Sequence, residues 1–321
     1  MKKIFLYSAM IVATMLLATS TSCISSQSPF PVKGSGDLTD KTYNITGFEG
    51  VDVSSGFDVN LVQGNSEKVI ISAQENLFEY ISVKVEDGVL RIRMERNVIQ
   101  TRGLKAKIYL KSINSLSVSG GGDVTAETTL DVPRLAINLS GGGDIATTLK
   151  TGELDCRISG GGDADLKGDI TNYRLNMSGG GDLQSDVATQ TISCSMSGGG
   201  DFKLKNSITA KMADINISGG GDLDINTNAD EVRCSVSGGG NATLNGSTRF
   251  LDVAVNGGGD VNAGNFKAEK AAFRANGGSD VHISATSELT GQISGGGNVY
   301  YSGNPVAVNI DAKGGSTVHK E

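Results

Sequence analysis
The chain of 321 residues reads as all-β, a single-stranded parallel β-solenoid (right-handed β-helix) with about ten rungs behind an N-terminal β-rich cap. Three observations predict it. The motif Ser-Gly-Gly-Gly-Asp occurs six times, from 119–123 to 218–222, and four variants continue it to Asn298. Its last residues are Asp123, Asp144, Asp163, Asp182, Asp201, Asp222, Asn241, Asp260, Asp280 and Asn298, spaced by 21, 19, 19, 19, 21, 19, 19, 20 and 18 residues. Units of this length bury a continuous core only by stacking on their neighbours. Finally, apolar residues alternate on both sides of each motif, as in Leu154, Cys156, Ile158 before it and Ala164, Leu166 after it, and period two means strand.

Each rung is therefore expected to run strand, glycine turn, strand, looser return, with like residues about 4.8 Å apart in successive rungs and ten rungs making a rod on the order of 50 Å. Right-handedness follows from the rule for parallel crossovers. The left-handed hexapeptide helix would require multiples of six, and only one interval is 18.

Taken from the N-terminus, residues 1–22 read as a signal peptide, with Lys2 and Lys3 ahead of the apolar run 4–18. Cys23 stands at the lipid-attachment position of a bacterial lipoprotein, although Ser20 occupies the place where Leu is usual. Residues 23–44, rich in serine with Pro29 and Pro31, read as lipid anchor and tether. The expectation is an exported, outer-membrane lipoprotein, its periplasmic or surface face left open. Without residues 1–22 the chain has 26 basic and 35 acidic residues, which gives no basic cluster for nucleic acid.

Residues 45–118 lack the glycine motif but read as the β-rich start and cap of the solenoid, with strands at 51–54, 57–62, 69–73, 81–85, 90–94 and 106–110. A helical turn is expected at 75–80, capped by Asn76, and a hairpin turn at 86–88. Ser55-Gly56-Phe57-Asp58 and Gly34-Ser35-Gly36-Asp37 look like degenerate corners.

In the repeat solenoid, 119–321, three glycines per corner suggest positive φ and little room for Cβ atoms where corners stack. The preceding Ser140, Ser159, Ser178, Ser197, Ser218 and Ser237, then Asn256 and Asn276, form a polar column that ties rung to rung. Asp155 beside Arg174, and Asp214, Arg233 and Asp252 in succession, suggest cross-rung ion pairs. Cys156, Cys194 and Cys234 fall at one inward position of alternate rungs, about 9.6 Å apart, too far for disulfides.

Asp123, Asp144, Asp163, Asp182, Asp201, Asp222, Asp260 and Asp280 form the structural turn ladder, and stacked carboxylates repel. One remedy is calcium held by Asp144, Asp163, Asp182 and Asp201, but the nine-residue spacing of calcium-binding solenoids is missing. The favoured remedy is that each Asp accepts backbone N–H bonds within its own corner. Asn241 and Asn298 support it by keeping the acceptor without the charge. No cofactor and no catalytic residue is expected. A polysaccharide-acting β-helix enzyme of pectin lyase or glycosidase type, using corner aspartates, is the alternative. It meets near-identical corners, an absence of Trp, and only two histidines, His282 and His319, which read as isolated.

The stretches 57–64, 69–77 and 87–92, followed by the Ser-Gly-Gly-Gly-Asp corners, resemble the head GIN domain family of auto-transporter adhesins, found in exported proteins of Bacteroidota. The resemblance spans roughly 45–298 and implies an envelope β-solenoid with an adhesive role; it brings no catalytic residues. The chain departs from a complete autotransporter in having no translocator barrel, and residues 24–27 lack the acidic cluster of surface-exported lipoproteins. The expected function is a non-catalytic adhesive or structural binding module, anchored to the membrane by its N-terminal lipid, with a protein or glycan partner and self-association left open.

Overall fold
The computed structural model describes residues 30–205 and 208–321; the signal peptide and Cys23 lie outside them. Parallel coils stack in about eleven turns. Thirteen of the fourteen residues of Ile145–Ile158 are partnered by the residue nineteen further on in Ala164–Met177. Parallel pairing of like residues continues from coil to coil up to Thr317–Lys320, with register shifts at 243–246 and 263–270 where the spacing between coils changes. This follows from the sequence period, because a slip of one residue would turn each inward set to solvent. Leu135, Leu154, Tyr173, Ile192, Ala213, Val232 and Leu251 accordingly form one buried column.

The expected loose return is instead strand. Ile145–Ile158 is a single extended run that bends only at 152–153, where alternation is interrupted. A hydroxyl shapes that bend. Thr151 donates to the Glu153 carbonyl at 3.1 Å, Thr189 to that of Thr191 at 2.9 Å, and Thr248 to that of Phe250 at 3.0 Å. Such local side-chain bonds let Thr close the turn whether its middle residue is glycine, as at Gly152, or not, as at Gln190 and Arg249.

Of the two expectations for the glycine corner, the lack of room for Cβ atoms holds and the general positive φ does not. Among the described glycines of the ten corners that end at Asp123 to Asn298, positive φ occurs only at Gly120, Gly257, Gly277 and Gly295. Crowding dominates: a Cβ on Gly141 would lie 1.7 Å from the Gly120 carbonyl oxygen, and one on Gly143 would lie 2.0 Å from that of Gly122. The middle residue, Gly142, has nothing within 4 Å of its would-be Cβ. The same alternation of blocked and open positions recurs in 160–162, 179–181 and 198–200.

The cap forms by a reversal of chain order. Gly50–Ser54 lies between Val89–Met94 on one side and Ser115–Ser119 on the other, and Asp58–Gln63 lies between Lys105–Leu110 and Val124–Ala126. The first coil of the sequence is thus second in the stack. Lys68–Gln74 pairs antiparallel with Lys105–Leu110, Leu38–Tyr43 with Lys68–Gln74, and Ile81–Glu86 with Val89–Met94. These antiparallel strands cover edges that a bare first coil would expose.

The strand expectations in 45–118 agree with the structure to within a residue or two, and Asp87 and Gly88, both at positive φ, make the hairpin turn. Three expectations need correction. The helical turn shortens to a 3₁₀ turn, Glu75–Leu77, whose N-cap is Gln74 with no side-chain bond. Asn76 instead accepts from Ser35 N–H at 2.8 Å and donates to the Lys33 carbonyl. Residues 34–37 are no corner: the strand after them runs antiparallel to Lys68–Gln74, and the Asp37 carbonyl accepts the Glu75 N–H. The tether ends earlier than 44, since Val32–Lys33 and Leu38–Tyr43 are strands paired to the cap.

Gly162→Ala is expected to cost about 3 kcal/mol because its Cβ would overlap backbone that cannot step aside, whereas Gly161→Ala should change stability by about 0.5 kcal/mol or less. Paired urea or thermal unfolding of the two variants checks this, and equal losses would contradict the crowding account.

Candidate functional site
Stacking brings all the predicted corner aspartates into one column along the rod, exposed at every position except the half-buried Asp280. Each side chain bonds across coils and not within its own corner, which corrects the expectation. The Oδ1 atoms of Asp123, Asp144, Asp163, Asp182 and Asp201 accept the N–H of Asp144, Asp163, Asp182, Asp201 and Asp222 at 2.8–3.0 Å. Asn241 fits the same role: its N–H donates to Asp222 Oδ1, and its own Oδ1 accepts the Asp260 N–H, both at 3.0 Å. Asp260 and Asp280 carry the ladder to the N–H groups of Asp280 and Asn298. The degenerate corner at Asp58 begins it, accepting Asp123 N–H at 3.4 Å.

The physical cause is a switch in the backbone ladder. The N–H after each marker donates to the marker carbonyl of the next coil, as Ile145 N–H does to Asp163 O at 2.8 Å. The marker's own N–H faces the coil before, and the carboxylate supplies its acceptor. A hydrogen bond to a charged group contributes about 1.5–3 kcal/mol, enough to offset repulsion between exposed carboxylates screened by water. Among the described residues no three His, Cys, Asp or Glu side chains come together in a way that could hold a metal ion.

The serine column also bonds to backbone. Ser140, Ser159, Ser197, Ser218 and Ser237 Oγ donate to the carbonyls of Val118, Leu139, Met177, Met196 and Ile217 in the preceding coil at 3.3–3.4 Å, whereas Asn256, Asn276 and Ser294 bond side chain to side chain. Beside this column lies a shallow trough of about 310 Å³ bordered by Asn138, Arg157, Asn176 and Ser195. Those four are register neighbours, and Asn216 and Ser235 extend the row. A larger hollow of about 760 Å³ opens elsewhere, by Gly168–Thr171 and Asp186–Gln190, away from the aspartate ladder.

The expected partners change: some pairs form within one strand, whereas Arg174 and Asp252 still pair across coils, the latter with Arg274 at 3.9 Å. Asp155 pairs with Arg157 at 2.7 Å, Arg174 with Glu153 at 3.8 Å, and Arg233 with Glu231 at 2.7 Å. Side chains two apart on one strand share a face and reach each other as readily as cross-strand neighbours. The cysteines stand as predicted: Cys156, Leu175, Cys194, Ile215 and Cys234 are successive register partners, and the three thiols are free and buried. Burial pushes the Cys156 and Cys234 thiols up to about 12, and Cys194 upward as well, so none is a ready nucleophile.

Two features escaped sequence reasoning. The threonines of the second bend recur seven residues after Asp144, Asp182 and Asn241, a signal masked by Ile170 and Ala229 at the same place in other coils. His282 and His319 are not isolated, because Tyr300 stacks between them with ring centroids 4.5 and 5.1 Å away. One outward position of three successive coils explains the stack.

The family profile described as "Putative auto-transporter adhesin, head GIN domain" matches residues 47–207 and again 193–305, and the chain belongs to this family. Among solved structures it is similar to a "putative adhesin" from Parabacteroides distasonis, at 20% identity over 91% of this chain and 100% of that one, with a TM-score of 0.42. A "putative adhesin" from Bacteroides fragilis is 18% identical over 90% and 100%, with a TM-score of 0.34. A "putative lipid binding protein" from P. distasonis is 20% identical over 90% and 99%, with a TM-score of 0.41. No curated protein matches the chain.

Asp163→Ala should destabilise by about 1–3 kcal/mol, leaving the Asp182 N–H without its acceptor, while Asp163→Asn should stay within about 0.5 kcal/mol of the parent because Asn241 already serves in that role. Denaturant titration separates the two; a loss as large for Asn as for Ala would mean that charge, and not the acceptor, is what the corner needs.

Proposed function
We propose that this chain is a non-catalytic, envelope-anchored adhesive module: a lipid on Cys23 holds it to the outer membrane, and the rod presents rows of polar side chains to a protein or glycan. Membership in an adhesin family supports an exported, adhesive role. The observation that carries the reading is the uninterrupted repetition of outward chemistry. Asn138, Arg157, Asn176, Ser195, Asn216 and Ser235 form a row of amide, guanidinium and hydroxyl groups, one to a coil, next to the serine column. Donors and acceptors at the spacing of strands suit a long polar partner that makes many weak contacts, in which affinity grows with the number of coils engaged.

Catalysis calls for the opposite arrangement, with one group set apart from its neighbours by its surroundings. The corner carboxylates instead share one environment and have Oδ1 engaged with the next coil. They hold the rod in register, and the face beside them does the binding.

A glycan and matrix-protein array probed with the mature chain tests this reading. The triple variant Asn138→Ala, Asn176→Ala, Asn216→Ala should lose about tenfold or more in affinity for the bound partner through lost hydrogen bonds. Alanine at both Asp163 and Asp182 should lower stability first. Unchanged binding by the triple variant would remove the row from the interface, and turnover of a bound polysaccharide abolished by the double variant would replace adhesion with catalysis.

A further inference from the structure
Among the described residues six large apolar side chains are exposed, and three of them, Phe30 at 76%, Leu38 at 57% and Ile99 at 44%, lie on the cap. They occupy one neighbourhood. Val32–Lys33 pairs in parallel with Val98–Ile99, which sets Lys33 beside Ile99, and Gly34 N–H donates to the Ile99 carbonyl at 3.1 Å. Arg96 Nη2 donates to the Phe30 carbonyl at 3.0 Å. Leu38 stands against Gly103, where a Cβ would lie 3.0 Å from its methyl carbons. Buried Gln74 joins these pieces, being the strand partner of Leu38 and accepting the Arg102 N–H through Oε1 at 3.1 Å.

The patch carries Lys33, Arg96 and Arg102 but also Asp37, Glu75 and Glu95. Apolar contact is therefore the available driving force, and net charge is not. The cap as a whole is balanced, with eleven basic and eleven acidic residues in 30–118, while 119–321 has fifteen against twenty-four. An anionic envelope surface thus repels the rod and leaves the cap indifferent.

Position in the chain selects the occupant. Phe30 follows Cys23 by seven residues, which span at most about 25 Å when fully extended. A lipid on Cys23 would hold the three apolar side chains within that distance of a bilayer, where an amphipathic surface beds about 5–10 Å into the headgroup and acyl boundary. We propose that the cap docks on the membrane itself, with Phe30, Leu38 and Ile99 entering the lipid and Lys33 and Arg102 reaching the headgroups. The inference rests on the anchored reading above and deepens it: the lipid tethers, and the patch orients, so that the cap faces the bilayer and the acidic rod stands off it.

The chain has no Trp, so Phe30→Trp and Leu38→Trp each create a single reporter, with Phe250→Trp on the rod as control. Each full-chain protein is reconstituted into phosphatidylcholine–phosphatidylglycerol vesicles with brominated acyl chains, and mass spectrometry of the Cys23 peptide reads lipidation separately. The expected result is a blue shift and loss of emission at positions 30 and 38, with emission at 250 unchanged. Acylated Cys23 with unquenched emission at 30 and 38 overturns the docking. A Cys23 peptide without acyl mass overturns the anchor reading, and the quenching then decides docking by itself. A blue shift that grows with protein concentration in the absence of vesicles assigns the patch to contact between two copies and also overturns docking on lipid.

Discussion
The structure depends on backbone lying directly over backbone at one corner of every coil. A side chain on the first or third corner glycine would occupy the space of the preceding coil's carbonyl, at 1.7–2.1 Å from Gly141 to Gly221. That closeness lets the corner N–H groups of one coil bond to the coil before, as Gly142 and Gly143 both do with the Gly120 carbonyl. From it follow the register of the strands, the buried columns between them, and the alignment of marker residues into a ladder. Glycine is the only residue that permits the contact, which outweighs its cost in chain entropy.

The aspartate at the end of each corner is the second half of the same device. It replaces a backbone acceptor that the turn removes, and it does so for the next coil, so each bond ties two repeats together. A solenoid is stable through such nearest-neighbour interfaces and not through any one unit. The cap fits this logic, since the chain returns to place Val89–Met94 and Lys105–Leu110 under its own first coil and seals their edges with antiparallel strands. A rod built this way has regular outward rows, and regular rows suit binding spread over many weak contacts.

Repetition made much of this legible in advance. The spacing of the markers predicted the register of the coils from Leu130 to Val236, and with it the burial of Cys156, Cys194 and Cys234 without bridges. What failed was local. The partner of each carboxylate was expected inside its own corner because a linear sequence shows which residues follow one another and not which N–H loses its acceptor when two corners stack. The Thr151 bend was hidden because its period is broken by apolar residues in the intervening coils, and the His282, Tyr300, His319 stack because different residue types share one column. Gly34-Ser35-Gly36-Asp37 resembled a corner in composition alone; pairing of the following strand with Lys68–Gln74 decided its place. Of the candidate surface, the aspartate ladder could be read from sequence, whereas the trough beside the serines and the apolar patch on the cap emerged only once distant segments were brought together.

Amide hydrogen exchange in the mature protein tests the central claim most directly, because the markers are exposed residues whose N–H groups would exchange fast unless the preceding coil's carboxylate holds them. The account predicts strong protection at the amides of Asp163, Asp182 and Asp201, and loss of protection at Asp182 alone when Asp163 is replaced by Ala. Fast exchange at all three in the parent protein, or loss confined to residues 159–163 in the variant, would show that each corner satisfies itself and that the coils are not joined in this way.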